Sequence, residues 1–226
     1  MSMPFYVSPE QVMKDRADYA RKGIARGRSL VALECAQGVV MVAQNPSRTL
    51  YKISEVYDRI AFAGVGKYNE FQMLKIGGVR LADMKGFQYS REDVTANSLA
   101  NAYAQTLGQV FTNEMKPYEV EILVAQVGAD PEEPNELFHI LYDGTLMDES
   151  DYTVLGGDAE RISDELESTY NAGLSLKEAI RIGAKSLAED GVTLGADQLE
   201  VAALERGGPR RAFRRITGDE LSGILA

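Results

Sequence analysis

The first segment of the chain carries apolar residues at helical spacing behind a helix-start motif. Residues 8–11 read Ser-Pro-Glu-Gln, which predicts Ser8 as the N-cap, Pro9 in the first turn and Gln11 reaching back to complete a capping box. Apolar residues then recur every three or four positions, at Met13, Ala17, Ala20 and Ile24. The pattern predicts an amphipathic helix from about residue 8 to about residue 26, ended at Gly27.

Short apolar runs separated by turn residues predict groups of strands. The first two runs are almost continuously apolar and flank Gln37-Gly38, which indicates a hairpin with both faces covered. The predicted strands are residues 29–36, 39–45, 49–54, 58–63, 119–127, 137–143, 152–155, 199–205 and 211–216.

Helical patterns separate these strand groups. One runs over residues 67–85 across Gly77-Gly78, and another begins at Ser90 with Leu99, Tyr103 and Leu107 on one face. Later helices are marked by the face Ile162, Leu166 and Tyr170, a capping box at residues 175–178 and a short capped segment after Thr217.

The order of these elements predicts the fold. Strands grouped in hairpins indicate antiparallel sheets, and two stacked sheets with a helix pair on each outer face would cover apolar strands on both sides. We therefore predict an α+β fold, a four-layer αββα sandwich, formed as one domain over residues 8–226.

Composition narrows the class of protein. The 226 residues carry a formal net charge of -10, which argues against bulk binding to nucleic acid. A single cysteine fits a reducing compartment. Because we see neither a signal peptide nor an apolar run of about 20 residues, we expect a cytoplasmic protein without a membrane span.

Side chains that commonly carry chemistry are scarce, so we expect no catalytic site, metal or cofactor. The single histidine, His139, is interpreted as a satisfied or solvent-facing strand residue, and Cys35 as a small buried hydrophobe. Five arginines near the last hairpin are interpreted as a charged sheet edge: Arg206, Arg210, Arg211, Arg214 and Arg215.

An ordered set of short motifs resembles the α-type subunits of the proteasome. Residues 8–10 and 18–20 read Ser-Pro-Glu and Asp-Tyr-Ala, similar to the family's Ser-Pro-Asp-Gly … Glu-Tyr-Ala signature. Further counterparts are Lys52-Ile53, Lys-Pro-Tyr-Glu-Val at residues 116–120, Asp143-Gly144-Thr145 and Gly156-Gly157. The resemblance implies an Ntn-hydrolase-like αββα fold. The Tyr-Asp-Arg of archaeal and eukaryotic members is replaced within residues 1–7, a departure that resembles actinobacterial members.

The resemblance implies a non-catalytic subunit. The family's catalytic β-type subunits use a threonine exposed at the start of the first strand. Here Ser29 stands in that place, the first threonine is Thr49, and Gln44 replaces a supporting aspartate. Two alternatives stay open: a self-processed N-terminal-nucleophile hydrolase using Ser29, and an unrelated αββα oligomeric binding protein.

The resemblance also implies partners and a docking site. Lys52 corresponds to the lysine that pairs with the C-terminal carboxylate of activator tails, and Gly66 to a position whose backbone N–H lines that pocket. The implied assembly is a homo-heptameric ring stacked on catalytic β-type subunits. An AAA ATPase ring of the ARC/Mpa type would deliver protein substrates tagged with the ubiquitin-like protein Pup.

The start of the chain is the predicted gate of that ring. The short uncharged segment Met1, Ser2, Met3, Pro4, Phe5, Tyr6 and Val7 is predicted to plug an axial pore by apolar contact. The ring mouth is predicted to be built by Ser8, Pro9, Glu10 and Tyr19. The first helix is predicted to expose its charged residues there, Arg16 among them.

Overall fold

A computed structural model describes residues 8–130, 132–189, 191–208 and 210–226, and within these ranges the chain forms six α-helices and ten strands. The helices are α1 (Pro9–Ile24), α2 (Tyr68–Gln88), α3 (Ala96–Asn113), α4 (Ala159–Thr169), α5 (Leu176–Ser186) and α6 (Gly218–Leu225). The strands are β1 (Leu30–Cys35), β2 (Gly38–Gln44), β3 (Ile53–Tyr57), β4 (Ile60–Gly66), β5 (Val120–Gln126), β6 (Glu136–Ile140), β7 (Leu146–Glu149), β8 (Tyr152–Leu155), β9 (Leu199–Glu205) and β10 (Phe213–Ile216).

The strands form two five-stranded sheets. Their orders are β10-β9-β2-β1-β8 and β3-β4-β5-β6-β7, and every pairing is antiparallel. The predicted four-layer αββα sandwich is therefore confirmed.

Alternation along the strands shows why the layers stack in this order. In β1, Leu30 and Ala32 face the second sheet, whereas Val31 and Leu33 pack beneath the helices α4, α5 and α6. The second sheet is also buried on both faces, and its outer face packs against α2 and α3. Strands buried on both faces need apolar residues at almost every position, which explains their continuous runs.

The first hairpin turns one residue earlier than the sequence predicts. Cys35 pairs with Gly38, so Ala36 and Gln37 form the loop and Gly38 opens β2. A Cβ on Gly38 would lie 2.1 Å from the carbonyl oxygen of Leu204, and its φ is 138°. The glycine is therefore required by the close approach of β9.

Several predicted boundaries were wrong. The third strand begins at Ile53, because residues 45–52 form a loop held by side chains of other elements. The strand β7 was missed. Ser90 caps only a short 3₁₀ turn, and Thr95 caps α3 by accepting from the Ser98 N–H. By contrast, the capping box of Ser175 with Glu178 at the start of α5 is confirmed.

The helix α1 lies across the end of the sandwich between the two sheets. Ala20 and Ile24 are buried there, and Ser8 caps the helix by accepting from the Gln11 N–H. The Gln11 side chain donates to Asp15 and does not complete the predicted capping box. Met13, predicted on the buried face, is exposed.

Candidate functional site

Lys52 lies in the β2–β3 loop, one residue before β3 begins. Its side chain is partly buried, and its Nζ donates to the backbone carbonyl of Arg28 in the turn that leads into β1. Its backbone N–H donates to Glu200 of β9 at 2.8 Å. The lysine is therefore anchored at both the main chain and the ammonium.

The surroundings of Lys52 make its ammonium easier to deprotonate. The pKa of Lys52 is lowered from 10.5 to about 8: burial lowers it most, Arg28 also lowers it, and Glu200 opposes both. A cation that has lost part of its hydration gains more from a carboxylate partner than a fully hydrated one.

Positive charge collects around this position. Lys75 of α2 also has a lowered pKa, because of burial and the charge of Arg215, with Glu200 again opposing. Lys52 thus has Arg28 as a cationic neighbour, Lys75 has Arg215, and the carboxylate of Glu200 acts on both lysines. In a chain of net charge -10, this is a local site suited to an anion.

Gly66 ends β4 beside the same turn. A Cβ built on Gly27 would lie 3.2 Å from the Gly66 nitrogen, and Arg28 follows Gly27 directly. Gly66 has φ of 95°, and a Cβ on it would lie 2.0 Å from the carbonyl oxygen of Glu119. The structure therefore brings Lys52 and Gly66 to one turn, at a point where only glycine fits.

Glu200 was missed by sequence reasoning. It lies in the apolar strand β9, is 7% exposed, and accepts hydrogen bonds from four donors. A lone carboxylate within a run of buried apolar residues was the available signal, because a buried charge requires partners.

The predicted ring-mouth residues lie at the free side of α1. Ser8 and Glu10 are exposed, and the Tyr19 ring is 48% exposed with the Lys116 ammonium 5.6 Å from its centre. Arg16, predicted to be exposed, is partly buried and donates to the carbonyls of Val110 and Glu114 at the end of α3. The predicted gate, residues 1–7, lies outside the described residues.

The residues weighed as nucleophiles or ligands are set apart from one another. Ser29 is buried and lies beside Gln44, whose N–H donates to the Ser29 carbonyl, while Thr49 is exposed in the β2–β3 loop. Cys35 is buried as expected, and burial raises its pKa. The interpretation of His139 as satisfied or solvent-facing was wrong: it is buried, and its Nε2 lies 3.7 Å from a Glu121 oxygen without a hydrogen-bond partner in the described residues.

The arginines near the last hairpin form ion pairs that tie the two sheets together. β10 is an edge strand, as expected. Arg210 pairs with Asp58 and Arg211 with Glu55, both from the other sheet. Arg214 and Arg215 pair with Glu205 and Glu200. The cluster is thus largely neutralised by carboxylates.

The helix α2 exposes a set of large apolar side chains that sequence reasoning did not single out. They are Met73, Ile76, Met84 and Phe87, the last of them 91% exposed. The signal was present in the sequence, since α2 carries apolar residues on more than one face. An exposed apolar face of this kind is typical of a protein interaction surface.

None of the helices within the described ranges has the length and apolarity needed to span a lipid bilayer.

The fold and these contacts define the class of protein: an αββα sandwich of the N-terminal-nucleophile type whose cleft end is closed by a helix. A family model described as proteasome subunit matches residues 24–204. The chain belongs to the proteasome subunit family, in its α-type branch.

Relatives from actinobacteria match over the whole chain. The proteasome subunit alpha of Acidimicrobium ferrooxidans is 58% identical over 225 residues, covering 100% of this chain and 97% of the relative. That of Thermobifida fusca is 57% identical over 228 residues, covering 100% and 91%. That of Kineococcus radiotolerans is 54% identical over 235 residues, covering 100% and 99%. The resemblance inferred from the motifs is confirmed.

Proposed function

We propose that this chain is a non-catalytic subunit of the outer ring of a cytoplasmic proteasome core. Seven copies form the ring, which stacks on catalytic β-type subunits. Residues 1–7 gate the pore, and Lys52 with Gly66 receives the C-terminal carboxylate of an AAA ATPase of the ARC/Mpa type. That ATPase delivers Pup-tagged protein substrates.

The non-catalytic role is supported by the cleft. Ser29, at the position of the β-type nucleophile, is buried, and a Cβ on Gly156 would lie 2.8 Å from its Oγ. The side chain beside it in the hairpin is the amide Gln44, which cannot act as a carboxylate. The intact α1 packs Ala20 and Ile24 into the same end of the sandwich.

The docking role rests on one observation: a partly desolvated ammonium with cationic neighbours lies at the same turn as Gly66. An ammonium with a pKa of about 8 is charged at neutral pH and gains a charge-assisted hydrogen bond from a terminal carboxylate. The groove between neighbouring subunits would then hold the remainder of the tail.

Substitution of the lysine tests this role. In a core particle assembled from this chain and its β partner, Lys52→Ala should raise the Kd of the ATPase's C-terminal peptide roughly tenfold to hundredfold, since a hydrogen bond to a charged group contributes about 1.5–3 kcal/mol. The measurement is fluorescence anisotropy of the labelled peptide, with a C-terminally amidated peptide for comparison.

Lys185→Ala is the matched control, because the Lys185 side chain is 74% exposed and belongs to α5, not to the β2–β3 loop. It should bind the peptide as the wild type does. Equal affinity of Lys52→Ala and wild type would overturn the docking role.

A further inference from the structure

Glu200 is a buried carboxylate whose hydrogen bonds support the β2–β3 loop that carries Lys52. It lies at the second position of β9, where it pairs with Ala43 of β2, and it is 7% exposed. Removing a carboxylate from water is costly unless its oxygens are fully hydrogen-bonded. Its retention at this depth therefore calls for an account of what it binds.

Both oxygens of Glu200 are fully used. Oε2 accepts from the Lys52 N–H at 2.8 Å and from Asn45 Nδ2 at 2.7 Å. Oε1 accepts from the Ile53 N–H at 3.0 Å and from Arg215 Nη1 at 2.9 Å. All four partners are donors, and two of them are the consecutive backbone N–H groups of Lys52 and Ile53.

The partners of Glu200 fasten the same loop a second time. Asn45 Nδ2 also donates to the Leu50 carbonyl at 2.8 Å. Arg215 Nη2 donates to the Ile53 carbonyl at 2.6 Å, and its guanidinium lies 4.1 Å from the centre of the Tyr51 ring. The loop is therefore held at every residue from Leu50 to Ile53, although residues 48–51 are exposed.

Besides holding the loop by hydrogen bonds, Glu200 has an electrostatic effect on Lys52. The charged groups that act on Lys52 are Arg28 from the α1–β1 turn and Glu200 from β9. Arg215 of β10 pairs with Glu200, and both of these groups act on Lys75 of α2. Burial and Arg28 lower the pKa of Lys52, and Glu200 is the group that raises it.

We propose that Glu200 is the positioning residue of the docking site, holding the Lys52 main chain in register with the Gly27–Arg28 turn and keeping the ammonium charged for a carboxylate ligand. This rests on the docking function proposed above. Glu200 touches no ligand atom in this role; it acts through Lys52.

The isosteric amide cannot replace the carboxylate. In Glu200→Gln one oxygen becomes an NH₂ group, which then faces two donors whichever way the amide is turned. Two donors are left without an acceptor, and Arg215 loses its charge partner. The loop around Lys52 is released, and the pKa of Lys52 falls further.

The experiment uses the assembled core particle and the labelled ATPase C-terminal peptide, titrated at a series of pH values on both sides of 8. Glu200→Gln should raise the peptide Kd roughly tenfold at neutral pH and move the pH at which binding is lost to a lower value. Asn45→Ala removes the side-chain hydrogen bonds of Asn45 with Leu50, Ser47 and Glu200 but keeps the carboxylate charge. It should weaken binding without moving that pH.

Glu205→Gln is the matched control on the same strand, because Glu205 pairs with Arg214 at the opposite end of β9. It should leave both the Kd and the pH profile at wild-type values. A Glu200→Gln particle with the wild-type Kd and pH profile, while Lys52→Ala has lost binding, overturns the positioning role and leaves the docking role standing. Equal losses in Glu200→Gln and Glu205→Gln also overturn it.

If the core particle that carries Glu200→Gln does not assemble, the Asn45→Ala variant is the test of the positioning role. Weakened binding with an unmoved pH profile supports the positioning role, and wild-type affinity overturns it. Wild-type binding by Lys52→Ala instead shows that the docking function itself has failed.

Discussion

At the residue scale, the function proposed for this chain depends on a lysine whose protonation is finely balanced. Lys52 has a pKa of about 8, lower than the usual 10.5, chiefly because burial disfavours its charged form. The sequence identifies the residue type and, through family resemblance, the position. Its environment comes from β9, β10 and the α1–β1 turn, which are distant along the chain.

The shifted pKa predicts pH-dependent docking. The carboxylate tail binds the ammonium and not the amine, so affinity should be constant well below pH 8 and fall above it, approaching tenfold for each further pH unit. Peptide binding to the assembled particle across this range measures it. In Lys52→Arg the guanidinium stays charged, so the decline should disappear. A wild-type affinity that stays constant well above pH 8 would contradict the prediction.

At the element scale, the continuity of α2 through Gly77-Gly78 shows how tertiary contacts select residues within a helix. Glycine costs about 0.5–1 kcal/mol inside a helix, so the pair weakens the local preference for helix. Gly78 is nevertheless required, because a Cβ there would lie 1.6 Å from the Tyr103 hydroxyl of α3. Gly77 faces open space, with no atom within 4 Å of the equivalent position.

The two glycines should therefore respond in opposite directions to alanine. In the unassembled subunit, Gly78→Ala should lower the free energy of unfolding by about 1–3 kcal/mol, since Tyr103 is buried and packed against Phe62. Gly77→Ala should raise it by about 0.5–1 kcal/mol. Urea denaturation measures both. The same sign of change for the two variants would show that helix propensity, and not the contact with α3, governs this segment.

The helix α1 is the element that a self-processing hydrolase using Ser29 would have to remove, because it precedes Ser29 in the chain. Its cap at Ser8 and the buried positions Ala20 and Ile24 were predictable, whereas Met13 is exposed, and the helix spans Pro9–Ile24. The contacts that hold α1 in place were not predictable. Arg16 donates to a carbonyl of α3, and Gly23 gives room for the Glu119 side chain. These contacts involve residues about a hundred positions away, which local periodicity does not report.

At the scale of the whole molecule, α1 covers one end of the two stacked sheets, and the predicted gate, residues 1–7, directly precedes this helix in the sequence. If those residues plug the ring by apolar contact, deleting residues 1–7 should increase hydrolysis of a short fluorogenic peptide by the assembled particle. Hydrolysis by the β subunits provides the readout. The particle must retain its four-ring form, which negative-stain microscopy verifies.

A full-length variant separates the plug from the mere presence of a tail. Phe5→Ser combined with Tyr6→Ser keeps the length of the segment and removes its aromatic contacts. It should increase peptide turnover in the same direction as the deletion. Unchanged turnover in both variants would refute the gate.

Much of the fold was predictable because its layers impose simple periodicities. Strands such as β2 and β4 are buried on both faces and therefore read as almost continuous apolar runs, and α5 carries both halves of its capping box in four consecutive residues. The strand β7 was missed because two of its four residues are acidic and none is fully buried at the edge of its sheet. β3 was placed too early, since side chains from β9 and β10 determine where it begins.

The sequence by itself determined the order of elements, the two-sided burial of the central strands and the capped first helix, because each of these is encoded by neighbours a few residues apart. The candidate lysine came from the resemblance to the family. Only the tertiary structure decided what surrounds that lysine. Glu200, Arg215 and Arg28 come from three separate elements, and a pKa depends on distance in space and on burial, neither of which sequence spacing specifies.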